Sequence, residues 1–314
     1  MVDNAEALDL DWMDMSDTDE LNADSVMHFA LPDAPTLYVV ATPIGNLGDL
    51  TPRARAVLQR VDRIAAEDTR NTGKLLNALG IRKPLMAHHD HNEADSAGGI
   101  VACLQRGESV ALVSDAGTPA VSDPGAVLVR AVSEAGFAVV PVPGASSVLA
   151  VVAASGLVDG PFTFQGFLPP KGKARLDKLQ VWLARPEPQV VFEAPHRILQ
   201  LFDDLLTVQA SDRTVCAGRE MTKQFETFYR GTVSEVFERV KADAYAEKGE
   251  WALVFAGQGE SQDTAEAAGQ TEEWIKALLA HLPPKTIVQM VTQVTGLPKN
   301  QVYSQVLELA KQKD

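Results

Sequence analysis

From Leu37 onward the chain alternates short apolar runs with longer amphipathic stretches. Apolar runs of strand length occupy 37–41, 62–66, 84–88, 109–113 and 137–142. Between them, at about 52–60, 73–79, 92–106 and 124–135, apolar residues recur at the three-to-four spacing of a helix facing a core. The punctuation agrees with the period. Thr51-Pro52 and Asp123-Pro124 each offer a capping side chain followed by proline at the first helical position. Gly80, Gly107 and Gly136 stand just past helix ends, where a left-handed residue closes the last turn. This alternation predicts a mostly parallel sheet wrapped by helices, with its ligand crevice at the carboxyl ends of the strands.

A second block starts near Gly156. Strand-like runs at 162–167, 189–193, 213–219, 226–230 and 250–256 are joined by helical patterns near 173–183, 196–206 and 234–241. The interval 215–231 reads as two adjacent strands, so this half is expected to be mixed rather than purely parallel. Residues 258–271 are polar, acidic and small, as in a linker. Beyond it, 272–314 predicts three short helices. The last two, at about 285–294 and 299–312, are joined by Thr295-Gly296-Leu297-Pro298 in a helix-turn-helix-like unit, a pattern shared with plain three-helix bundles. Residues 1–35 keep no apolar period and predict a disordered acidic extension. The expected division is therefore 1–35, an α/β domain at 36–156, a second at 157–257, the linker, and a helical domain at 272–314.

Charge changes this picture less than its total suggests. The 314 residues carry a net charge of −14, but ten of the 42 acidic side chains and none of the 28 basic ones fall in residues 1–35. The remainder is close to balanced, so local basic clusters could still hold a phosphate backbone. The two cysteines, Cys103 and Cys216, make neither a C-x-x-C pair nor a disulfide framework, which fits a reducing compartment. No basic leader precedes an apolar core at the N-terminus. The longest apolar stretch, Phe137 to Ser155, is broken by Pro141, Pro143 and Gly144 and does not read as a membrane span. A soluble, cytoplasmic protein is expected.

Three loops at the predicted carboxyl edge have the composition of a ligand site. The first strand ends in Thr42-Pro43-Ile44-Gly45-Asn46-Leu47-Gly48-Asp49. Its spacing is not G-x-G-x-x-G and no helix follows the first glycine, so the dinucleotide fingerprint fails. Alone, it would be an ordinary turn. The loop after the fourth strand, Ser114-Asp115-Ala116-Gly117-Thr118-Pro119-Ala120-Val121-Ser122-Asp123-Pro124-Gly125, offers backbone N–H groups and short hydroxyls to a small polar molecule. Asp123 has the plain duty of a helix cap, whereas Asp115 has no such local duty, which favours a ligand role for it. The third loop, Pro141 to Ser147, leads into an apolar helix with Ser146 or Ser147 as its cap. Three such loops at one sheet edge point to a site more strongly than any one alone.

The segments VATPIGNLGDLTPRA, AAEDTRNTGKLL, HHDHNE, SDAGTPAVSDPG, VPGASS, FQGFLPPKG, FEAPHR and GREMTKQFE occur in this order. With them, Leu37 to Gly257 resembles the tetrapyrrole-methylase superfamily, and specifically its branch acting on small-subunit ribosomal RNA; the C-terminal helices look like that branch's end domain. The acidic extension lies outside the family pattern, and His88 stands where the pattern has an aromatic. The resemblance implies two α/β domains of the tetrapyrrole-methylase type with the cofactor cleft between them, plus a small C-terminal helical domain. It implies S-adenosylmethionine as cofactor and 2′-O-methylation of a cytidine ribose in the decoding centre of 16S ribosomal RNA. The implied partners are the small ribosomal subunit and a second copy of the chain, with no membrane.

Mapped onto this sequence, the resemblance assigns the cofactor to Pro43 and Gly45, to Asp115, Gly117, Thr118 and Ser122, and to Gly144, Ala145 and Ser146. Phe167, Glu193 and Trp251-Ala252 would close over it from the second domain. A ribose hydroxyl is a poor nucleophile near neutral pH, so a polarising group or base would help. Glu67, Asp68, Arg70, His91, Asn92 and Glu93, at the ends of the second and third strands, are the candidates for substrate handling and catalysis; the pattern singles out no base among them. For RNA, Lys74 could pair with phosphates beside Arg70. Lys171, Lys173, Arg175 and Lys178 form a basic cluster at a helix N-terminus, where cations oppose the helix dipole and so favour a phosphate partner. Arg197, Arg219 and Lys223 could contact RNA or build internal ion pairs. The run His88-His89-Asp90-His91 lacks distant partners at zinc spacing, and no metal is expected. The rival readings are a methyltransferase for a small tetrapyrrole-type substrate and a non-catalytic nucleic-acid-binding regulator.

Overall fold

Inner strands buried on both faces build the first half. The computed structural model describes residues 34–89, 92–258, 274–279, 281–295 and 299–311. Strands β1 (Thr36–Val40), β2 (Arg63–Ala66), β3 (Leu85–Ala87), β4 (Val110–Val113) and β5 (Ala138–Val142) form one sheet in the order β3-β2-β4-β1-β5. Each neighbouring pair is parallel; Tyr38, for example, lies level with Ala111 on one side and Val140 on the other. Successive side chains point to opposite faces. Tyr38, Val40 and Ile64 therefore pack with Val57, Leu58 and Leu76 on one side, while Leu37, Ala65 and Leu112 pack with Ile100, Leu104 and Leu128 on the other. A sheet covered on both faces explains the near-continuous apolar runs in the sequence.

The covering helices are α1 (Pro52–Arg60), α2 (Thr69–Ala78), α3 (Glu93–Gln105) and α4 (Ala126–Glu134), and α5 (Ser147–Ser155) follows the loop after β5. Thr51 caps α1 by accepting from the Ala54 N–H, with Pro52 at the first turn. Gly80, Gly107 and Gly136 take φ of 71°, 87° and 82°. After each, an N–H returns to the helix: Ile81 to Leu76, Glu108 to Cys103, Phe137 to Val132. These are Schellman closures, as the glycines predicted. Two helix starts differ from expectation. Helix α2 begins at Thr69 rather than near 73, because Asp68 caps a polar first turn that carries no apolar period. Helix α4 is not capped by Asp123 with Pro124 behind it; its N-cap is Gly125, at φ 145°. A Cβ on Gly125 would lie 2.9 Å from Leu112 Cδ2, so the chain enters the helix through a residue without one.

The second sheet has the order β6-β7-β10-β8-β9, from β6 (Thr163–Phe167), β7 (Gln189–Glu193), β8 (Thr214–Arg219), β9 (Thr227–Thr232) and β10 (Trp251–Phe255). β6 and β7 are parallel, with a register shift between Phe164 and Gly166. Ala256 N–H donates to Thr214 O and Glu220 N–H to Glu250 O, a reversed pairing that makes β8 and β10 antiparallel. The sheet is mixed, as expected. Helix α6 (Lys173–Leu183) packs on it through Trp182 against Phe255, and α7 (Ile198–Thr207) and α8 (Val233–Ala242) meet through Phe202 stacked on Phe237. Thr232 and Glu235 close a capping box on α8. Residues 274–278 are helical, and with α9 (Pro284–Thr295) and α10 (Lys299–Lys311) they enclose Ile275, Ile287, Val291, Val302 and Val306.

The described residues fall into two compact units. The first runs to Ala154 and also takes in Gly218–Phe228 and Gly249–Ala252; the second holds Ser155–Ala217, Tyr229–Lys248 and the chain from Leu253. The expected acidic extension up to residue 33, nearly all of the expected linker, and Asp90 and His91 lie outside the described residues. Among the described residues no helix is long and apolar enough to cross a membrane.

Candidate active site

A parallel sheet sends the loops after all its strands to the same edge, and in the first unit those loops are tied to one another. Thr42 and Gly117 exchange two backbone hydrogen bonds, at 2.9 and 3.0 Å, linking the loop after β1 to the loop after β4. Thr42 Oγ1 donates to Ser114 O. Thr118 Oγ1 donates to Ala145 O at 3.1 Å, bringing in the loop after β5. Gly117 takes φ 84°, and a Cβ there would press on Ile44 Cγ2 at 3.4 Å; one on Gly144 would come within 3.0 Å of Ala41 Cβ. Pro43, Gly45, Asp115, Gly117, Thr118, Gly144, Ala145 and Ser146 are thus gathered at one edge. Ser146 Oγ faces the Leu149 N–H as a cap for α5. Ala120 and Ser122 hold φ of 65° and 64° although neither is glycine, a conformation that costs about 1–2 kcal/mol per residue.

The polar block after β2 joins the same edge through Asp115. Its carboxylate accepts from the Asp68 N–H at 3.2 Å and from Asn71 Nδ2 at 2.9 Å, while Glu67 Oε2 accepts from the Asp115 N–H. Asp115 therefore does have a structural duty, across 47 residues of sequence, which its neighbours in the chain do not reveal. Asn71 is a member of this cluster that the sequence reading passed over; its place in the first turn of α2 was the available signal. Asp68 caps α2 and takes two bonds from the Arg70 guanidinium, which holds its carboxyl far below the usual carboxylate range. A carboxylate so stabilised is a weak base. Arg70, with 85% of its side chain exposed, and Lys74, 3.4 Å from Asn71 Oδ1, present cations beside the cluster.

After β3 the candidates are engaged locally. Asn92 closes its turn, accepting from the His89 N–H and donating to Ala87 O. Glu93 Oε1 accepts from the N–H groups of Gly125 and Val127, at 2.8 and 3.2 Å, and so caps α4 from α3. Buried His88 places Nδ1 2.7 Å from Ser96 Oγ. His91 lies outside the described residues.

In the second unit the expected basic cluster divides. Lys171 and Lys173 are exposed at the start of α6, behind Gly172 at φ 78°. Arg175 is not: its side chain is 0% exposed, donating to Asp204 at 2.6 Å, Glu193 at 2.7 Å and Pro169 O at 3.0 Å. The expectation that Arg175 faces phosphate is corrected; its anions are internal. Glu193 is equally buried, and Arg197 Nε reaches its other oxygen at 2.9 Å, so neither Glu193 nor Arg197 stands open to a ligand in the way expected. Phe167 is exposed and meets Phe192 edge-on. Ala252, which belongs to the first unit, is buried within β10.

Two further RNA candidates belong to the first unit. Arg219 is buried, with its guanidinium 6.0 Å from the Trp251 ring centroid. Lys223 pairs with Glu220 at 2.8 Å and Glu250 at 3.1 Å. Burial opposes the Lys223 charge, yet the two carboxylates outweigh it and raise its pKa. Among the described residues no three His, Cys, Asp or Glu side chains are gathered as metal ligands.

Comparison with known proteins places this arrangement. The family described as Tetrapyrrole (Corrin/Porphyrin) Methylases matches residues 36–236, and the RsmI C-terminal HTH domain matches residues 265–310. Ribosomal RNA small subunit methyltransferase I of Xylella fastidiosa is 46% identical over 269 residues, covering 85% of this chain and 97% of that protein. The protein of the same name from Escherichia coli O157:H7 is 44% identical over 273 residues, covering 87% and 94%. Among solved structures, a cobalt precorrin-4 methyltransferase superposes with TM-score 0.53 at 17% identity, over 70% of this chain and 94% of that one. Diphthine synthase gives 0.57 at 14% identity, over 70% and 90%. These two likenesses speak to the fold alone.

Proposed function

Since the chain belongs to the tetrapyrrole methylases, and within them to the ribosomal RNA small subunit methyltransferases I, we propose that it methylates a cytidine ribose 2′-hydroxyl in the decoding centre of 16S ribosomal RNA, using S-adenosylmethionine. The observation that carries this reading is the near-full-length likeness to those rRNA methyltransferases. The small ribosomal subunit is the partner, and the chain works in the cytoplasm as a homodimer with α/β domains at 36–156 and 157–257 and a helical end domain.

The tied loops of the first unit suit the donor. Gly45, Gly117 and Gly144 let the loops pack closely on Lys223, Ile44 and Ala41, and Asp115, Thr118, Ser122, Ala145 and Ser146 supply polar groups around them. When bound, S-adenosylmethionine supplies a methyl group on a positively charged sulfur. The chain's part is alignment: holding the acceptor oxygen in line with that methyl group is worth roughly 7–11 kcal/mol of barrier. Arg70 and Lys74 present cations to the phosphates flanking the target ribose, and Lys171 and Lys173 extend the contact with RNA. Asp68 holds Arg70 rather than taking the proton. Small subunits from cells lacking the gene, incubated with the pure protein and tritiated S-adenosylmethionine, should gain one methyl group on one cytidine ribose. Label on a base, or none on RNA while a tetrapyrrole is labelled, would overturn the reading.

A further inference from the structure

The loop between β8 and β9 is held in an unfavourable backbone shape. Glu220 and Thr222 take φ of 51° and 65°. The N–H of Lys223 returns to Glu220 O, that of Glu226 to Lys223 O, and Glu226 Oε2 accepts from the Thr222 N–H at 2.7 Å. Glu220 Oε1 accepts from the Glu250 N–H at 2.9 Å and from Lys223 Nζ. The glycine at 249 makes room for it, because a Cβ there would overlap the Glu220 carboxyl. Strain of this kind persists only where surroundings enforce it, and it gathers at functional sites.

What the shape achieves is contact with the donor loop. A Cβ on Gly45 would overlap Lys223 Cγ and lie 3.0 Å from both Lys223 Cε and Thr222 Oγ1. The aliphatic stem of Lys223 thus lies directly on the Gly45 backbone, while its ammonium is anchored by Glu220 and Glu250. With two carboxylates already on it, that ammonium is a poor partner for phosphate. We infer that Lys223 is a positioning residue for methyl-donor binding: its aliphatic stem, packed on the Gly45 backbone, braces that turn in the shape that receives the donor. The inference rests on the assignment of the Pro43–Gly45 loop to S-adenosylmethionine.

The test separates stem from charge. Lys223→Met keeps most of the stem and removes the charge; Lys223→Ala removes both. Calorimetric titration with S-adenosylmethionine is expected to show Kd within about threefold of the parent for Lys223→Met and at least tenfold weaker for Lys223→Ala. The KM for small subunits at saturating donor, and its salt dependence, should stay unchanged in both. Hydrogen exchange at the Asp49 and Leu50 amides, which close the turn after Gly45, should quicken only in Lys223→Ala. Should that variant not fold, Lys223→Thr gives the same truncation with a branched side chain. Equal donor affinity in parent and truncated protein overturns the inference, and so does equal loss in the Met and Ala variants. A raised RNA KM with a salt slope lowered by about one in both returns Lys223 to phosphate binding. If the parent itself binds no donor, it is the underlying assignment that fails.

Discussion

Replacing Arg175 by Met separates a buried structural cation from an RNA contact. The variant keeps an unbranched apolar stem but removes the donors to Asp204, Glu193 and Pro169 O. Arg175 and Glu193 side chains are 0% exposed and Asp204 is 15% exposed. The loss therefore leaves a carboxylate in the interior with reduced compensation. Breaking such a pair costs about 3–5 kcal/mol, because the surviving charge stays desolvated. Glu193 retains Arg197 and the Ala194 N–H, each at 2.9 Å, which places the expectation at the lower end, about 3 kcal/mol. At about 2–4 °C of melting temperature per kcal/mol for 150–250 residues, that is a fall of roughly 6–12 °C. Urea unfolding followed by the fluorescence of buried Trp182, which packs in the same unit, gives the number directly. The double variant Arg175→Met with Glu193→Met should recover part of the loss, since no orphaned charge remains. A cost below about 1 kcal/mol, together with a lower salt slope for RNA binding, would refute the reasoning.

Three further outcomes follow from individual contacts. Glu93→Gln weakens the cap that α3 lends to α4 and should cost about 0.5–2 kcal/mol in urea unfolding, with methylation kcat changed less than about threefold; a hundredfold loss of kcat at unchanged stability would make Glu93 catalytic. Gln209, exposed at φ 60°, closes α7 as Gly80 closes α2, its neighbour Ala210 returning an N–H to Leu205 O; Gln209→Gly should raise stability by about 1 kcal/mol, and a lowered melting temperature would contradict it. Glu108 bonds Arg63 and Arg106, which hold its pKa down to about 2 against an ordinary 4.5. The folded form thus binds its proton less readily than the unfolded one. Any stability Glu108 adds over Glu108→Gln is present above about pH 4.5 and disappears as pH falls toward about 2, readable as converging melting temperatures.

The strands were the most legible part, above all the inner ones, where burial on two faces leaves no position for a polar residue to blur the pattern; the ends of the first sheet's strands fall within one residue of expectation. Helix starts were legible where the capping residue adjoins the helix, as at Thr51, and illegible where the cap comes from elsewhere. Glu93 caps α4 across 32 residues, and nothing near Asp123-Pro124 announces it. The loops of the candidate site were visible from composition, but not the ties between them, since Thr118 to Ala145 and Asp115 to Asn71 are contacts between different strand ends.

Charged side chains were least legible, for one physical reason. A cation at a helix N-terminus does need an anion, and the dipole argument for residues 171–178 is sound to that point. It does not say whether the anion is a ligand's or the protein's. At Lys171 and Lys173 the side chains stay in solvent, where a phosphate can reach them. At Arg175, two residues beyond Lys173, the side chain is buried and Glu193 and Asp204 meet it first. The same division recurs in the first unit, where Arg70 stays exposed and Lys223 is held by two carboxylates. Burial, not charge, decides which cations remain for RNA, and burial of a side chain 18 or 29 residues from its partner is a property of the fold.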